Sequence, residues 1–251
     1  MATEKADALV LRVTDFSETS CVVTLFTREF GKVTGLAKGG RRLKGPFESA
    51  LDLLALVRLV FLRKSSDALD LLTEAKLERR FRGHGRDLST YYAGYYVAEL
   101  LIELTDDYDP HPALFDLAVQ TLADLAAGEP VRPLILHFEL QLLEILGYLP
   151  SLSMCAECGD EVPGTGRVAF GTLHGGALCP RCRVGKQQVI SVSAGVIRAM
   201  ACLADGQGDA WRRLELHAST LGELRAVLNR YLSHLVGHAL KMHRHLGPAR
   251  T

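Results

Sequence analysis

The chain has 251 residues, 48% of them hydrophobic, with 29 Lys and Arg balanced by 29 Asp and Glu; this suits one large soluble domain or two modest ones. No uncharged apolar run reaches the roughly 18 residues of a membrane span, since Arg58 interrupts the best stretch at 53–62, and Glu4 and Asp7 near the start are unlike a secretory leader. These features exclude a membrane protein class and predict a cytoplasmic location.

The balance of charge conceals an asymmetry. Residues 1–82 carry 15 basic against 11 acidic side chains, residues 83–150 carry 2 against 11, and residues 151–251 carry 12 against 7. A basic–acidic–basic chain suggests anionic partners at its ends, while the acidic middle reads equally well as a solvated helical surface. The six cysteines are Cys21, Cys155, Cys158, Cys179, Cys182 and Cys202. Four of them form two Cys-x-x-Cys pairs, which in a cytosolic protein means a metal site and two buried thiols, not a disulfide framework.

Along the chain, the first 80 residues read as strands. An apolar run at 8–13 ends at the turn Asp15-Phe16-Ser17-Glu18, and residues 22–26 and 33–37 form a hairpin across Glu29-Phe30-Gly31-Lys32. Lys38-Gly39-Gly40-Arg41-Arg42-Leu43-Lys44-Gly45-Pro46 is loop by composition. Residues 51–62 could be helical by length, but alternation around Val57, Leu59 and Phe61 favours a long strand, followed by a last strand at 69–76. Five strands in about 75 residues fit a small OB-fold barrel, with an SH3-like barrel as the runner-up.

From Ser89 the spacing becomes helical. Ser89 can cap a first helix containing Tyr92, Tyr95 and Tyr96, residues 114–126 form a second helix ending at Gly128, and Pro133 opens a third that stops at Gly147. The tyrosines suit core packing better than base stacking. Residues 151–190 are rich in Gly and Cys without periodicity, apart from a short hairpin expected at 168–170 and 172–173. Helices return at 193–204 and at 221–243, the latter with Leu224, Leu228, Leu232 and Leu235 on one side. The fold class is therefore α+β: a five-stranded OB-fold barrel over 1–82, then a mainly α-helical domain over 83–251 with an inserted four-cysteine, zinc-finger-like segment at 151–190.

Cys155-Ala156-Glu157-Cys158 and Cys179-Pro180-Arg181-Cys182 lie 20 residues apart. Two such knuckles supply four thiolates, which saturate tetrahedral zinc and leave no coordination position for a substrate. Iron–sulfur is the competing reading; zinc fits the spacing better and is expected to be structural. His174 is a spare donor that four cysteines make unnecessary.

In the barrel, Arg28, Lys32, Lys38, Arg41, Arg42 and Lys44 stand against only Glu29, and Gly39 and Gly40 allow close backbone approach to a polyanion. Counterion release would favour a nucleic-acid backbone there, and Phe26, Phe30 and Phe47 are either stacking platforms or core residues. The segment lacks the Gly-Lys-Ser/Thr ending of a P-loop. His234 and His238 sit four apart without the glutamate of a zinc protease, and no nucleophile, triad or carboxylate pair stands out. No catalytic residue is assigned, and the chain is read as a binding protein and not an enzyme.

The order of these pieces resembles the RecO family of DNA repair and recombination proteins. The carrying residues are Asp15-Phe16-Ser17-Glu18-Thr19-Ser20, Gly31-Lys32-Val33-Thr34-Gly35-Leu36-Ala37-Lys38-Gly39-Gly40-Arg41-Arg42, Leu146-Gly147-Tyr148-Leu149-Pro150 leading to Cys155, and Arg230-Tyr231-Leu232-Ser233-His234. The resemblance spans essentially the whole chain. It implies binding of single- and double-stranded DNA, annealing of complementary strands, and loading of a recombinase onto strands covered by single-strand-binding protein (SSB). It also implies RecR, RecF and the acidic tail of SSB as partners, and a cytoplasmic, nucleoid-associated location. The family's basic barrel segment falls on Lys32, Lys38, Arg41, Arg42 and Lys44. Met242-His243-Arg244-His245 departs from the usual pattern after the last helix. A general OB and zinc-ribbon protein acting on RNA or transcription is the alternative.

Overall fold

Five strands close on one another in the computed structural model, which describes residues 2–42, 45–47, 50–64, 68–85, 88–206 and 208–246. They are β1 (Ala2–Asp15), β2 (Cys21–Thr27), β3 (Gly31–Ala37), β4 (Leu56–Arg63) and β5 (Asp70–Arg79). Their order is β1-β2-β3-β5-β4, closed by pairing of β4 with β1. All neighbours are antiparallel except β3 and β5, which run parallel over Gly35–Asp70 to Ala37–Leu72. This is the OB-fold connectivity expected from the strand pattern.

Closure depends on the length of β1. Its first half pairs with β4 from Ala2 to Leu9 and its second half with β2 from Ala8 to Asp15. The register shifts between Val10 and Arg12, where an extra residue lets the strand bend from one partner to the other. Ala8, Val10, Val23, Leu25, Val33, Val57, Leu59 and Phe61 are fully buried inside the barrel. Alternation in β2 and β3 thus marks an inward face. Residues 51–55 are not part of the long strand expected at 51–62. They form a turn in which Leu54 adopts a left-handed φ of 64° and its N–H donates to Val10 O at 2.8 Å.

Two helices, α1 (Leu88–Leu104) and α2 (Pro112–Ala127), belong to the same compact unit as the barrel, which comprises Met1–Val131 and Arg244–Thr251. The change from strand to helical periodicity falls between Arg79 and Leu88, while the compact unit continues well beyond it. Ser89 lies inside the first turn of α1, not before it. Gly128 ends α2 in the left-handed conformation, φ 91°. The connection between the helices docks on the barrel: the Tyr108 N–H donates to Lys32 O at 3.0 Å. Tyr96 is fully buried, whereas Tyr95 is exposed at the margin.

The second unit, Arg132–His243, contains most of α3 (Val131–Ile145), together with α4 (Ala194–Ala204) and α5 (Ala218–Val236). A three-stranded antiparallel sheet, ordered β7-β6-β8, accompanies them: β6 (Arg167–Gly171), β7 (Gly176–Leu178) and β8 (Val189–Ser193). The hairpin expected at 172–173 is displaced. Thr172–His174 is a 3-10 turn, Gly175 takes φ 73°, and the return strand begins at Gly176. The strand β8 has no counterpart in the sequence reading. The last helix ends at Val236 because Gly237 caps it with φ 82°; His238 therefore lies beyond it and forms no helical pair with His234. Phe138 and Leu142 on α3 and Leu224, Leu228 and Leu232 on α5 are fully buried. The fully buried Glu139 carboxylate accepts from Arg225. Among the described residues no helix is long and apolar enough to cross a membrane.

Candidate nucleic-acid interface and metal centre

In the second unit the two knuckles converge. The sulfurs of Cys155, Cys158, Cys179 and Cys182 all lie within 4.8 Å of one another, and those of Cys158 and Cys179 are 3.8 Å apart. Sulfurs around a tetrahedral ion at the usual bond length stand roughly 3.8 Å apart, so the cluster already has the size of a metal shell. Local backbone bonding builds each knuckle. The Cys155 N–H donates to Asp160 O at 2.7 Å and the Gly159 N–H to Cys155 O at 2.9 Å, with Gly159 at φ 73° turning the chain away. In the second knuckle the Cys182 N–H points at Cys179 Sγ, 3.5 Å away.

The sheet supplies the floor: Ala169 and Leu178 pack with the buried Cys155 and Cys179. The thiols are electrostatically unequal. Burial works against a Cys155 thiolate, yet backbone N–H groups of Cys179, Cys158 and Glu157 outweigh it and bring the thiol down to about 6. The sulfurs of Cys158 and Cys179, with burial behind them, push Cys182 up to about 12. Four thiols this close compete for ionisation, and a central dication would let all four ionise together. The four cysteines are thus a donor set that can hold a metal ion. His174 is outside it; its Nε2 lies 3.9 Å from Glu157 Oε1.

In the first unit, the basic residues of the barrel segregate into two groups. Arg28 and Lys32 face the helices of their own unit. Arg28 makes a two-pronged contact with Asp116 of α2, at 3.0 and 2.9 Å. The guanidinium bonds, with the charge behind them, hold the Asp116 carboxyl below its ordinary range. Lys32 Nζ donates to Ile102 O at 2.9 Å and Thr105 O at 2.6 Å, at the C-terminal end of α1, with the Asp107 carboxylate 3.7 Å away. Free carbonyls and the negative end of the helix dipole explain why an ammonium settles there.

The other group lies after β3. Lys38, Arg41 and Arg42 are all exposed, while Lys44 falls outside the described residues. Gly39, at φ 75°, and Gly40 turn the chain; a side chain at Gly40 would meet Cys21 Sγ at 2.8 Å. This loop is fastened to the β1–β2 turn. The Arg41 N–H donates to Thr19 O at 3.1 Å, the Arg41 guanidinium donates to Ser17 O at 3.1 Å, and the same group sits 3.3 Å from the Asp15 carboxylate. Two connections therefore form one edge of the barrel, with Arg42 and Lys38 making no ion pair among the described residues. The phenylalanines weighed for stacking are core residues: Phe26 and Phe47 are buried, and Phe30 packs edge-on against Phe61 at 5.5 Å. Among the described residues of this edge the exposed aromatic is Phe16, which by sequence is a turn residue. Its signal was an aromatic residue in a polar turn with no apolar neighbour in register.

A closed OB barrel with a basic edge, followed by a helical unit whose small sheet carries a four-cysteine cluster, defines an α+β architecture of a specific kind. The family models for Recombination protein O match residues 1–81 (N terminal) and 85–244 (C terminal). Similar chains include the DNA repair protein RecO of Rhodopirellula baltica, 39% identical over 94% of this chain and 96% of that one. That of Anaeromyxobacter sp. strain K is 37% identical over 96% and 95%, and that of Symbiobacterium thermophilum 36% identical over 93% and 90%. The chain belongs to the RecO family of DNA repair proteins.

Proposed function

We propose that the chain is a recombination mediator without enzymatic activity. It binds single- and double-stranded DNA, anneals complementary strands, and helps load recombinase onto SSB-coated single strands together with RecR and RecF. The observation carrying this reading is the basic edge of the OB barrel, where Lys38, Arg41 and Arg42 are exposed on a loop fastened to the β1–β2 turn. The β1–β2 connection is one of the loops by which OB folds take up oligonucleotides, and the basic loop after β3 is bonded directly to it. Lys44 extends the same basic run in sequence. Arg28 and Lys32 belong to the proposed DNA-binding set less directly, through their hold on α1 and α2. Membership of the RecO family supports the partners named, including the acidic tail of SSB, and a cytoplasmic, nucleoid-associated location.

The metal of the proposed holoprotein is zinc, held by Cys155, Cys158, Cys179 and Cys182. Four sulfur donors fill a tetrahedral shell, so the ion supplies cohesion to a segment that has little apolar core, and no Lewis-acid chemistry.

Charge reversal tests the edge. The double variant R41E/R42E is expected to weaken DNA binding and to flatten the dependence of log K on log salt by roughly 1–2 units, since about 0.7 counterion is released per phosphate contact on a single strand. Unchanged affinity and slope in a fluorescence-anisotropy salt series would remove the edge from the DNA-binding surface.

A further inference from the structure

We propose that Phe16 is a stacking platform for a base of single-stranded DNA, placed beside the basic loop; this rests on the DNA-binding reading above and assigns its strand preference to one side chain. Phe16 is 63% exposed, whereas Phe26, Phe47, Phe61, Phe115, Phe138 and Phe170 are buried and the two remaining phenylalanines, Phe30 and Phe81, are half-buried. An isolated exposed aromatic would mean little on its own. Phe16 is not isolated in this sense, because its turn is bonded to the basic loop.

The turn that bears Phe16 is internally bonded. The N–H groups of Phe16 and Ser17 both donate to Ser20 O at 3.1 Å, and the Ser20 N–H donates to Ser17 Oγ at 3.2 Å. The backbone is thus held while the ring is left in solvent. The same turn is bound to the basic loop through Thr19, Ser17 and Asp15, all of which contact Arg41. A phosphate-binding edge and an apolar ring are thereby carried on two connections that bond to each other. A single strand presents both phosphates and unpaired base faces, and aromatic side chains bind those faces with little regard for sequence. A duplex presents phosphates but keeps its bases stacked, so it gains from Arg41, Arg42 and Lys38 and not from Phe16.

The test measures affinity of the full-length chain for an oligo(dT) single strand and for a duplex of equal length, using wild type, F16A, F16W and R41E/R42E. F16A is expected to lose about tenfold on the single strand and less than about twofold on the duplex, whose affinity is set by phosphate contacts. F16W should retain binding, and its added emission should be quenched on titration with oligo(dT). Wild type provides the background, because its single tryptophan, Trp211, is buried against His137. The proposal is overturned if F16A binds both DNAs as wild type does while R41E/R42E binds weakly. Equal losses on single strand and duplex, or F16W emission indifferent to DNA, also overturn it. If R41E/R42E and F16A both bind as wild type does, the DNA-binding reading of this edge fails and the stacking assignment falls with it.

Discussion

Lys32 and Arg41 are both basic residues of one strand–loop segment, and their surroundings give them different work. The Lys32 ammonium is one-sixth exposed and bonded to two carbonyls at the end of α1. Replacing it with Met should cost about 1.5–3 kcal/mol of stability, the range for hydrogen bonds to a charged group. The salt slope of DNA binding should stay unchanged, because the ammonium faces protein. Urea unfolding and a salt series on the same variant check both halves, and a flattened slope at full stability would show Lys32 on the DNA surface instead. Arg41 is more open, and its contacts to Ser17 and Asp15 are exposed ones that DNA phosphates can replace at little cost. Sequence composition ranked all six basic residues alike. What separates them is the docking of α1, α2 and their connection on the barrel, a tertiary fact that no spacing within 28–44 expresses.

At the scale of elements, local packing turns on two places, one in each unit. Gly31 starts β3 at φ 69°, and a side chain there would meet the Asp109 backbone at 2.0 Å. Gly31→Ala should therefore destabilise the barrel–helix unit by about 2–4 kcal/mol, combining left-handed strain with a clash against backbone; thermal unfolding reads it, and a loss below experimental error would contradict the docking. The cysteine segment is the second case. Removing zinc from the proposed holoprotein, or substituting Cys155→Ser, should lower the melting midpoint by about 5–10 °C and speed proteolysis within 151–193. A chromophoric chelator should release one zinc per chain from wild type.

Much of this level was legible in the sequence, because the signals were local. Alternation gave the β2–β3 hairpin, and the two Cys-x-x-Cys pairs gave the donor set. Strand β8 was not legible: Val189–Ser193 becomes a strand only by pairing with β6, from Arg167–Ser193 to Gly171–Val189. The end of α5 was missed because the apolar spacing runs past Gly237 to Ala239, while the left-handed cap at Gly237 stops the helix. Phe16 was passed over because exposure is a property of the folded turn.

For the whole molecule, each unit has its own core and its own chemistry: a basic-edged OB barrel with two helices, and a helical unit with a four-cysteine cluster. The mediator reading assigns the chain one act, bringing complementary strands together on DNA already covered by SSB. Its most direct test is annealing of two complementary single strands precoated with SSB, with and without the full-length chain and with no ATP. Accelerated annealing is expected, with R41E/R42E losing most of the acceleration. DNA binding without any acceleration on the coated strands would contradict it.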